Sequence, residues 1–267
     1  MGTTLYKNAD WIITMNEKRE KIRHGDLLIS GKEILDVGTD LEKKYEGTLK
    51  IDHVVEAEGT VILPGFVNVH HHTWQSLIRN IQATRGLKLE PWLTVMYEIY
   101  KDLNTDVARA GVYSGLGDML KTGCTTSNDL WYPHPVGVKY LVDAEIEAAA
   151  EIGIRFHPTR GFHSVPSSIV PPEVVDTKES VVEDTIRLVK KYHDRSRFSM
   201  CQVGIAPSIA QYETEDIIEA VVDLAEEYDI MVHGHLAESQ HEVEYTLKTW
   251  GCRPFEWFKR HRLLGKR

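Results

Sequence analysis

The stretch "PGFVNVHHHTWQS", residues 64–76, places three consecutive histidines directly after a short apolar run. In an extended chain, residues i and i+2 project from the same face, and residue i+1 projects from the opposite one. His70 and His72 therefore share a face, and His71 points away from them. Two neutral imidazoles at the end of a strand are suitable ligands for zinc, iron and similar ions. The spacing predicts a metal site rather than a chance polar cluster at a strand end.

A second histidine cluster lies in "VHGHLAES", residues 232–239. His233 and His235 again share one face of a predicted strand, and Glu238 follows in the loop that leaves the strand. A metal site needs a third ligand from another strand and a carboxylate that is free to move protons. We assign these two roles to His235 and Glu238. We interpret His233, one pleat deeper, as a packed and hydrogen-bonded residue rather than a ligand.

The pattern of apolar and polar residues changes near residue 62. Residues 1–62 are short apolar stretches broken by Gly, Asp and Asn, with a hairpin turn predicted at "SGKE", and they predict a small β region. Residues 63–267 alternate strand-like runs with amphipathic helical patterns, which predicts a parallel sheet. The helices are predicted to begin at Thr105, Thr214 and Ser239. The five predicted strands lie in "VILPGFVNVH", "CTTSNDLW", "GIRFHPTRG", "MCQVGIAPS" and "DIMVHGHLAE".

Five predicted strands are compatible with two α/β architectures. A closed (β/α)8 barrel takes roughly 250 residues, whereas only about 200 follow the β region here. The second part of the chain is therefore either an open doubly wound sheet or a barrel that is cut short.

Composition limits the partners and the compartment. The 267 residues carry a net charge of −9, so the chain is a poor candidate for binding the phosphate backbone of a nucleic acid. We expect no membrane association, because no apolar run is long enough to cross a bilayer and the N-terminus does not resemble a signal peptide. The cysteines Cys124, Cys201 and Cys252 form neither a disulfide framework nor a paired zinc motif. We therefore expect a cytoplasmic protein.

The two histidine clusters, in this order, resemble those of the amidohydrolase superfamily. The phrases "HHHTWQSLIR", "GCTTSNDLWY", "GIRFHPTRG", "RLVKKYHD" and "GCRPFEWFKRHRLLG" are similar to the branch that contains 8-oxoguanine deaminase and hydroxyatrazine-type aminohydrolases. The resemblance implies a (β/α)8 barrel of the TIM type, with about five βα units present over residues 63–267. It also implies that residues 1–62 are the N-terminal part of a small accessory β-sandwich.

The resemblance also implies a reaction. His70, His72 and His235 would bind one divalent metal ion, zinc or iron, and Glu238 would act as the catalytic acid and base. A single metal is implied because "IAPSIAQ", residues 205–211, lacks the lysine that bridges two metals in binuclear members. The expected reaction is hydrolytic deamination of a purine-like nitrogen heterocycle of the guanine or 8-oxoguanine type.

Three residues are candidates for binding the substrate. Trp74 could stack on a planar base and Gln75 could hydrogen-bond its edge, with packing of the loop as the alternative for Trp74. Arg160 ends the third predicted strand at the catalytic face of a barrel, where it could bind a ring carbonyl or pair with a carboxylate.

Two functional residues of family members have no counterpart in this sequence. Family members use an aspartate after the eighth strand as a further metal ligand and a histidine after the sixth strand that contacts the attacking water. We therefore expect these 267 residues to be the first half to two-thirds of a longer protein. The alternatives are an aminohydrolase for a triazine or pyrimidine, such as hydroxyatrazine or isocytosine, and a truncated, non-catalytic chain that needs a partner. A homo-oligomer that acts on a small heterocyclic substrate is expected by analogy.

Overall fold

The computed structural model describes residues 2–265. It divides the chain into two compact units, of which the first ends at Phe66 and the second begins at Val67. Within the described residues, no helix has both the length and the apolar character that crossing a membrane requires.

The first unit is built on one five-stranded sheet. Its strand order is β3-β2-β1-β4, and β5 also pairs with β1. The β2–β3 pair is antiparallel and turns at Gly31, whose φ of 57° suits glycine, so the hairpin predicted at "SGKE" is confirmed. The elements are β1 (Thr3–Ile13), β2 (Lys21–Ser30), β3 (Glu33–Gly38), α1 (Leu41–Lys44), β4 (His53–Glu56) and β5 (Val61–Ile62).

The second unit contains a sheet in which strand order follows chain order, β6-β7-β8-β9. The strands β7, β8 and β9 run parallel, and a parallel bridge between Ile205 and Val232 extends the sheet to the fifth predicted strand segment. The elements are β6 (Phe66–Asn68), α2 (Leu89–Tyr100), α3 (Thr105–Lys121), β7 (Cys124–Trp131), α4 (Leu141–Ile152), β8 (Arg155–Phe162), α5 (Lys178–Tyr192), β9 (Gly204–Pro207), α6 (Glu215–Tyr228), α7 (Gln240–Trp250) and α8 (Pro254–Arg260).

This strand order separates the two architectures that the sequence left open. A doubly wound sheet reverses its strand order at a switch point, whereas a (β/α)8 barrel adds each strand beside the previous one. The described sheet shows no reversal, so it has the order of a barrel. We find four regular strands and one bridged segment where five strands were predicted.

The helices begin close to the predicted positions. Asn104 caps α3, one residue before the predicted Thr105, because its side chain accepts hydrogen bonds from the first exposed amides. Ser239 caps α7 by accepting a hydrogen bond from the amide of Glu242, and that helix ends at Gly251 with a φ of 67°. These local signals predict where helices start and stop because each one satisfies backbone groups that the helix leaves unpaired.

The sheet curls so that its two edges approach each other. His70 and His72 follow β6 at one edge, and His235 follows the bridged residue Val232 at the other. In a flat sheet, four strand spacings would separate these segments by roughly 19 Å. Instead, ring atoms of His72 and His235 lie 3.2 Å apart. The curvature of a barrel wall therefore assembles the candidate site.

Candidate metal centre and active-site cavity

Three histidines from the two edges of the sheet form a compact cluster. One ring nitrogen from each of His70, His72 and His235 lies within 4.8 Å of the others. His71 does not join them, and its Nδ1 lies instead 4.0 Å from Oδ1 of Asp129. The structure thus brings together the three histidines that were predicted as ligands.

Main-chain carbonyls fix the rings of His72 and His235. Nδ1 of His72 lies 2.7 Å from the carbonyl oxygen of Leu130, and Nδ1 of His235 lies 2.9 Å from that of Ser208. A carbonyl oxygen only accepts, so each Nδ1 carries the hydrogen and each Nε2 presents a lone pair. Two Nε2 lone pairs that face each other at 3.2 Å need a cation between or beside them. In a tetrahedral zinc site, metal–nitrogen bonds of 2.0–2.1 Å place neighbouring nitrogens about 3.3 Å apart, so this geometry fits such an ion.

The electrostatics of the cluster keep these rings neutral. Burial lowers the pKa of His72 well below its ordinary value, and the neighbouring His235 adds to the effect. Burial also lowers the pKa of His70 and of His235. Since a histidine binds metal only as the neutral imidazole, these shifts favour the ligand form.

A fourth histidine contacts the cluster from its side. Nε2 of His233 lies 2.8 Å from Nδ1 of His70, and the two rings stack with their centroids 5.1 Å apart. This contact engages Nδ1 of His70. The contact is the kind of supporting interaction that orients a ligand ring.

A cavity of about 270 Å³ adjoins the cluster. Its wall combines the rings of two candidate ligands with aromatic side chains from α2 and from the loops that follow the strands. This composition suits a small planar ligand. The lining residues include His72, Gln75, Trp92, Tyr97, Tyr132, His163, Tyr212, His235 and Glu238.

Glu238 and Gln75 contribute polar groups to this cavity. Partial burial raises the pKa of Glu238, and the negative charge of Glu90 adds to the effect. The amide of Glu238 donates a hydrogen bond of 2.8 Å to Oε2 of Glu242, which ties its backbone to α7. The side-chain amide nitrogen of Gln75, Nε2, lies 3.0 Å from the hydroxyl of Tyr100. The structure therefore places both predicted residues beside His72 and His235.

The family can be identified from the match of its sequence profile. The profile described as the Amidohydrolase family matches residues 61–260, which is most of the second unit. This chain belongs to the amidohydrolase family.

Individual relatives and solved structures agree with this assignment. The amidohydrolase is 31% identical over 215 residues to the 8-oxoguanine deaminase of Pseudomonas aeruginosa, covering 79% of this chain and 48% of that protein. It is 28% identical over 275 residues to hydroxydechloroatrazine ethylaminohydrolase of a Pseudomonas species, covering 99% of this chain and 57% of the relative. The triazine hydrolase of Arthrobacter aurescens has a similar fold, with a TM-score of 0.90 at 24% identity, over 98% of this chain and 59% of that one. The chain thus spans about half the length of the curated relatives it matches.

Two of the predicted substrate-binding residues of this amidohydrolase, Trp74 and Arg160, are not among the residues that line this cavity. Trp74 is 1% exposed, and its ring packs against Trp131 with centroids 4.5 Å apart, as the packing alternative predicted. Arg160 is 2% exposed and forms ion pairs with Asp176 at 2.8 Å and Asp184 at 2.9 Å. It lines a separate cavity formed by the loop after β7 and by α5. The structure therefore favours loop packing for Trp74 and the carboxylate pairing for Arg160.

Several residues of the cavity wall are not predicted from the sequence. Tyr97 lies on α2, His163 directly follows β8, and Tyr212 lies in the loop after β9. The sequence does carry one signal for His163, because residues at the carboxyl ends of barrel strands face the active site. Tyr97 carried none, since its position in an amphipathic helix is equally typical of a core residue.

Proposed function

We propose that this amidohydrolase uses one divalent metal ion, zinc or iron, to deaminate a purine-like heterocycle of the guanine or 8-oxoguanine type, with release of ammonia. The observation that carries the proposal is the convergence of two fixed Nε2 lone pairs, on His72 and His235, beside the carboxyl group of Glu238 in one aromatic cavity.

The donor set supports the metal. His70, His72 and His235 are neutral imidazoles from two separate strand segments, and imidazole suits zinc and iron. A divalent ion at this position would supply Lewis acidity, which makes water acidic enough to lose a proton near neutral pH.

Glu238 is placed to move protons. Its raised pKa brings the carboxyl group closer to neutral pH, where one group can both accept and donate a proton. In the proposed reaction, a carboxylate oxygen of Glu238 accepts a proton from the attacking water. Glu238 then delivers that proton to a ring nitrogen of the substrate. It next takes the remaining proton of the added oxygen and passes it to the exocyclic amine, which leaves as ammonia.

The cavity wall supports a planar, hydrogen-bonding substrate. The rings of Trp92 and Tyr132 offer flat apolar surfaces to a heterocycle. The amide nitrogen of Gln75 points toward the hydroxyls of Tyr100 and Tyr132, at 3.0 and 3.4 Å, so its carbonyl oxygen remains as an acceptor. This oxygen could accept a hydrogen bond from an N–H group on the edge of the base. The name of the relative that is 31% identical, 8-oxoguanine deaminase, agrees with a purine.

A triazine or pyrimidine is the second candidate substrate. It is favoured by the similarity to hydroxydechloroatrazine ethylaminohydrolase, which extends over 99% of this chain. The same cluster and the same glutamate would serve, and only the shape of the cavity would distinguish the two classes.

The test combines metal content with turnover. We would purify the chain, determine its bound metal by elemental analysis, and assay ammonia release from guanine, 8-oxoguanine, isocytosine and hydroxyatrazine. We expect one zinc or iron per chain and the highest kcat/KM with a purine. His72→Ala should lose the metal, and His53→Ala, at an exposed position on β4, should retain it. Turnover of hydroxyatrazine alone would favour the second candidate. Absence of stoichiometric metal would overturn the proposal in favour of a non-catalytic chain that needs a partner.

A further inference from the structure

A buried array of three side chains lies in the wall of the candidate cavity. The hydroxyl of Tyr97, on α2, lies 2.5 Å from Nε2 of His163, which follows β8. Nδ1 of His163 lies 3.5 Å from Oε1 of Glu213, just before α6. The exposed fractions of the three residues are 1%, 1% and 4%. Tyr97 and His163 line the cavity, so the array connects its wall to the loop after β9.

The short length of the first bond favours Tyr97 as its donor. Hydrogen bonds span about 2.5–3.0 Å for O–H···O pairs and about 2.7–3.2 Å for N–H···O pairs, so O–H donors form the shorter bonds. We therefore assign the hydrogen of the 2.5 Å contact to Tyr97, with Nε2 of His163 as the acceptor. A neutral imidazole that accepts at Nε2 carries its hydrogen on Nδ1, the atom that faces Glu213.

Burial keeps both groups uncharged. Burial lowers the pKa of His163 to about 3 and raises the pKa of Tyr97 well above 10. The imidazole therefore stays neutral and the phenol keeps its hydrogen. Glu213 is held in turn by the hydroxyl of Ser164, which donates to Oε2 at 3.0 Å.

We infer that Tyr97 determines substrate specificity in this site: its hydrogen is committed to His163, so its oxygen offers only lone pairs and selects heterocycles that present an N–H group. The inference rests on the proposed function and defines the substrate class further. Together with the carbonyl oxygen of Gln75, Tyr97 makes this wall an acceptor surface. A ligand that presents a methyl group or a ring-nitrogen lone pair there would leave a buried acceptor unpaired, and polar sites reject such ligands strongly.

The first measurement tests the geometry without turnover. In the metal-loaded chain labelled with ¹⁵N-histidine, long-range ¹H–¹⁵N correlation reports the tautomer of each ring, and His163→Gln identifies the signal of His163. We expect the Nδ1–H tautomer. Tyr97→Phe should shift this signal because Nε2 loses its donor. Tyr212→Phe should leave the tautomer unchanged, because the ring of Tyr212 contacts His163 without a hydrogen bond from its hydroxyl.

The second measurement tests selectivity. Binding of guanine and of its singly N-methylated derivatives would be compared in the metal-loaded Glu238→Gln background, in which turnover is expected to be slow enough for a binding measurement. We expect at least one methyl derivative to bind about tenfold or more weakly than guanine, and Tyr97→Phe to abolish most of that difference.

The outcomes separate this inference from the proposed function. The Nδ1–H tautomer with selectivity that depends on Tyr97 supports both. An Nε2–H tautomer, or unchanged selectivity in Tyr97→Phe while guanine still binds, overturns the inference alone. The Nδ1–H tautomer without binding of any heterocycle overturns the proposed function and, with it, the specificity role of Tyr97.

Discussion

The Nε2 atoms of His72 and His235 lie 3.2 Å apart, although the two residues are 163 positions apart in the chain and follow opposite edges of the sheet. The main chain enforces this relationship, because the carbonyl oxygens of Leu130 and Ser208 hold the opposite ring nitrogens. Such contacts fix both the tautomer and the orientation of a metal ligand. The site is therefore organised by the fold of the barrel wall itself.

Glu238 should be essential for turnover and dispensable for metal binding. Glu238→Gln keeps the size of the side chain but removes its ability to accept a proton. We expect kcat to fall by about 10²- to 10⁴-fold, the usual contribution of a general acid or base, with unchanged metal content. Steady-state kinetics and elemental analysis check both. Glu244→Gln, on the exposed face of α7, is the matched control and should behave as the unmodified chain. Full activity of Glu238→Gln would remove Glu238 from the mechanism.

Arg160 should contribute to stability rather than to substrate binding. Arg160→Met would leave the carboxylates of Asp176 and Asp184 without their buried partner, which costs about 3–5 kcal/mol of unfolding free energy in comparable cases. Urea denaturation measures this loss. The control is Arg109→Met, whose partners Glu147 and Glu151 are exposed, and it should cost less than about 1 kcal/mol. A stable Arg160→Met chain with a greatly increased KM would instead restore the substrate-binding interpretation.

Local patterns predicted much of the candidate centre. The alternation of side-chain direction along an extended chain correctly predicted that His70 and His72 lie together and that His71 points away. The prediction holds even though β6 ends at Asn68, before these histidines. It still applied because the chain remains extended beyond the paired strand, with φ −131° and ψ 92° at His72. Helix caps were predictable for the same reason, since each depends on groups only a few residues apart.

Contacts between distant segments could not be predicted from the same patterns. Tyr97 and His163 are 66 residues apart, and nothing local indicates that they meet. Arg160 shows a second limit. A parallel strand is buried on both faces, so its sequence does not distinguish the barrel interior from the helical layer. Its partner Asp184 lies on α5, which places the guanidinium on the helical side.

Gly111 should be required for the close approach of α3 to the loop that follows His72. A Cβ atom there would lie 2.8 Å from Cα of Trp74 and 3.0 Å from the carbonyl oxygen of Thr73, so backbone would have to move. We expect Gly111→Ala to lower the unfolding free energy by about 1–3 kcal/mol and to weaken metal binding. Urea denaturation and metal titration measure the two effects.

Gly117 provides the matched control for that substitution on the same helix. A Cβ atom at Gly117 would meet nothing within 4 Å. Gly117→Ala should therefore raise the unfolding free energy by roughly 0.5–1 kcal/mol, as expected when alanine replaces glycine inside a helix. Equal effects of Gly111→Ala and Gly117→Ala would contradict the tight packing against the loop.

Asp129 should make stability depend on pH. It is fully buried, its Oδ1 accepts a hydrogen bond of 2.6 Å from the amide of Thr73, and Glu145, which accepts a hydrogen bond from the hydroxyl of Thr73, lies beside it. Burial raises the pKa of Asp129 and of Glu145 above the ordinary carboxyl values. The protonated forms are therefore favoured by folding. Their contribution to stability is complete below about pH 4 and is lost as the pH rises through the raised pKa values.

Asp129→Asn removes one of these titrations and keeps the oxygen that accepts from Thr73. As the pH rises from about 4, the unfolding free energy of the variant should increase relative to that of the unmodified chain, by up to about 1.4 kcal/mol per pH unit. Urea denaturation across this range measures the difference. Asp118→Asn, whose side chain is 68% exposed, should give a curve parallel to that of the unmodified chain. A parallel curve for Asp129→Asn as well would mean that Asp129 is already ionised in the folded protein, with its charge balanced by a group such as a protonated His71.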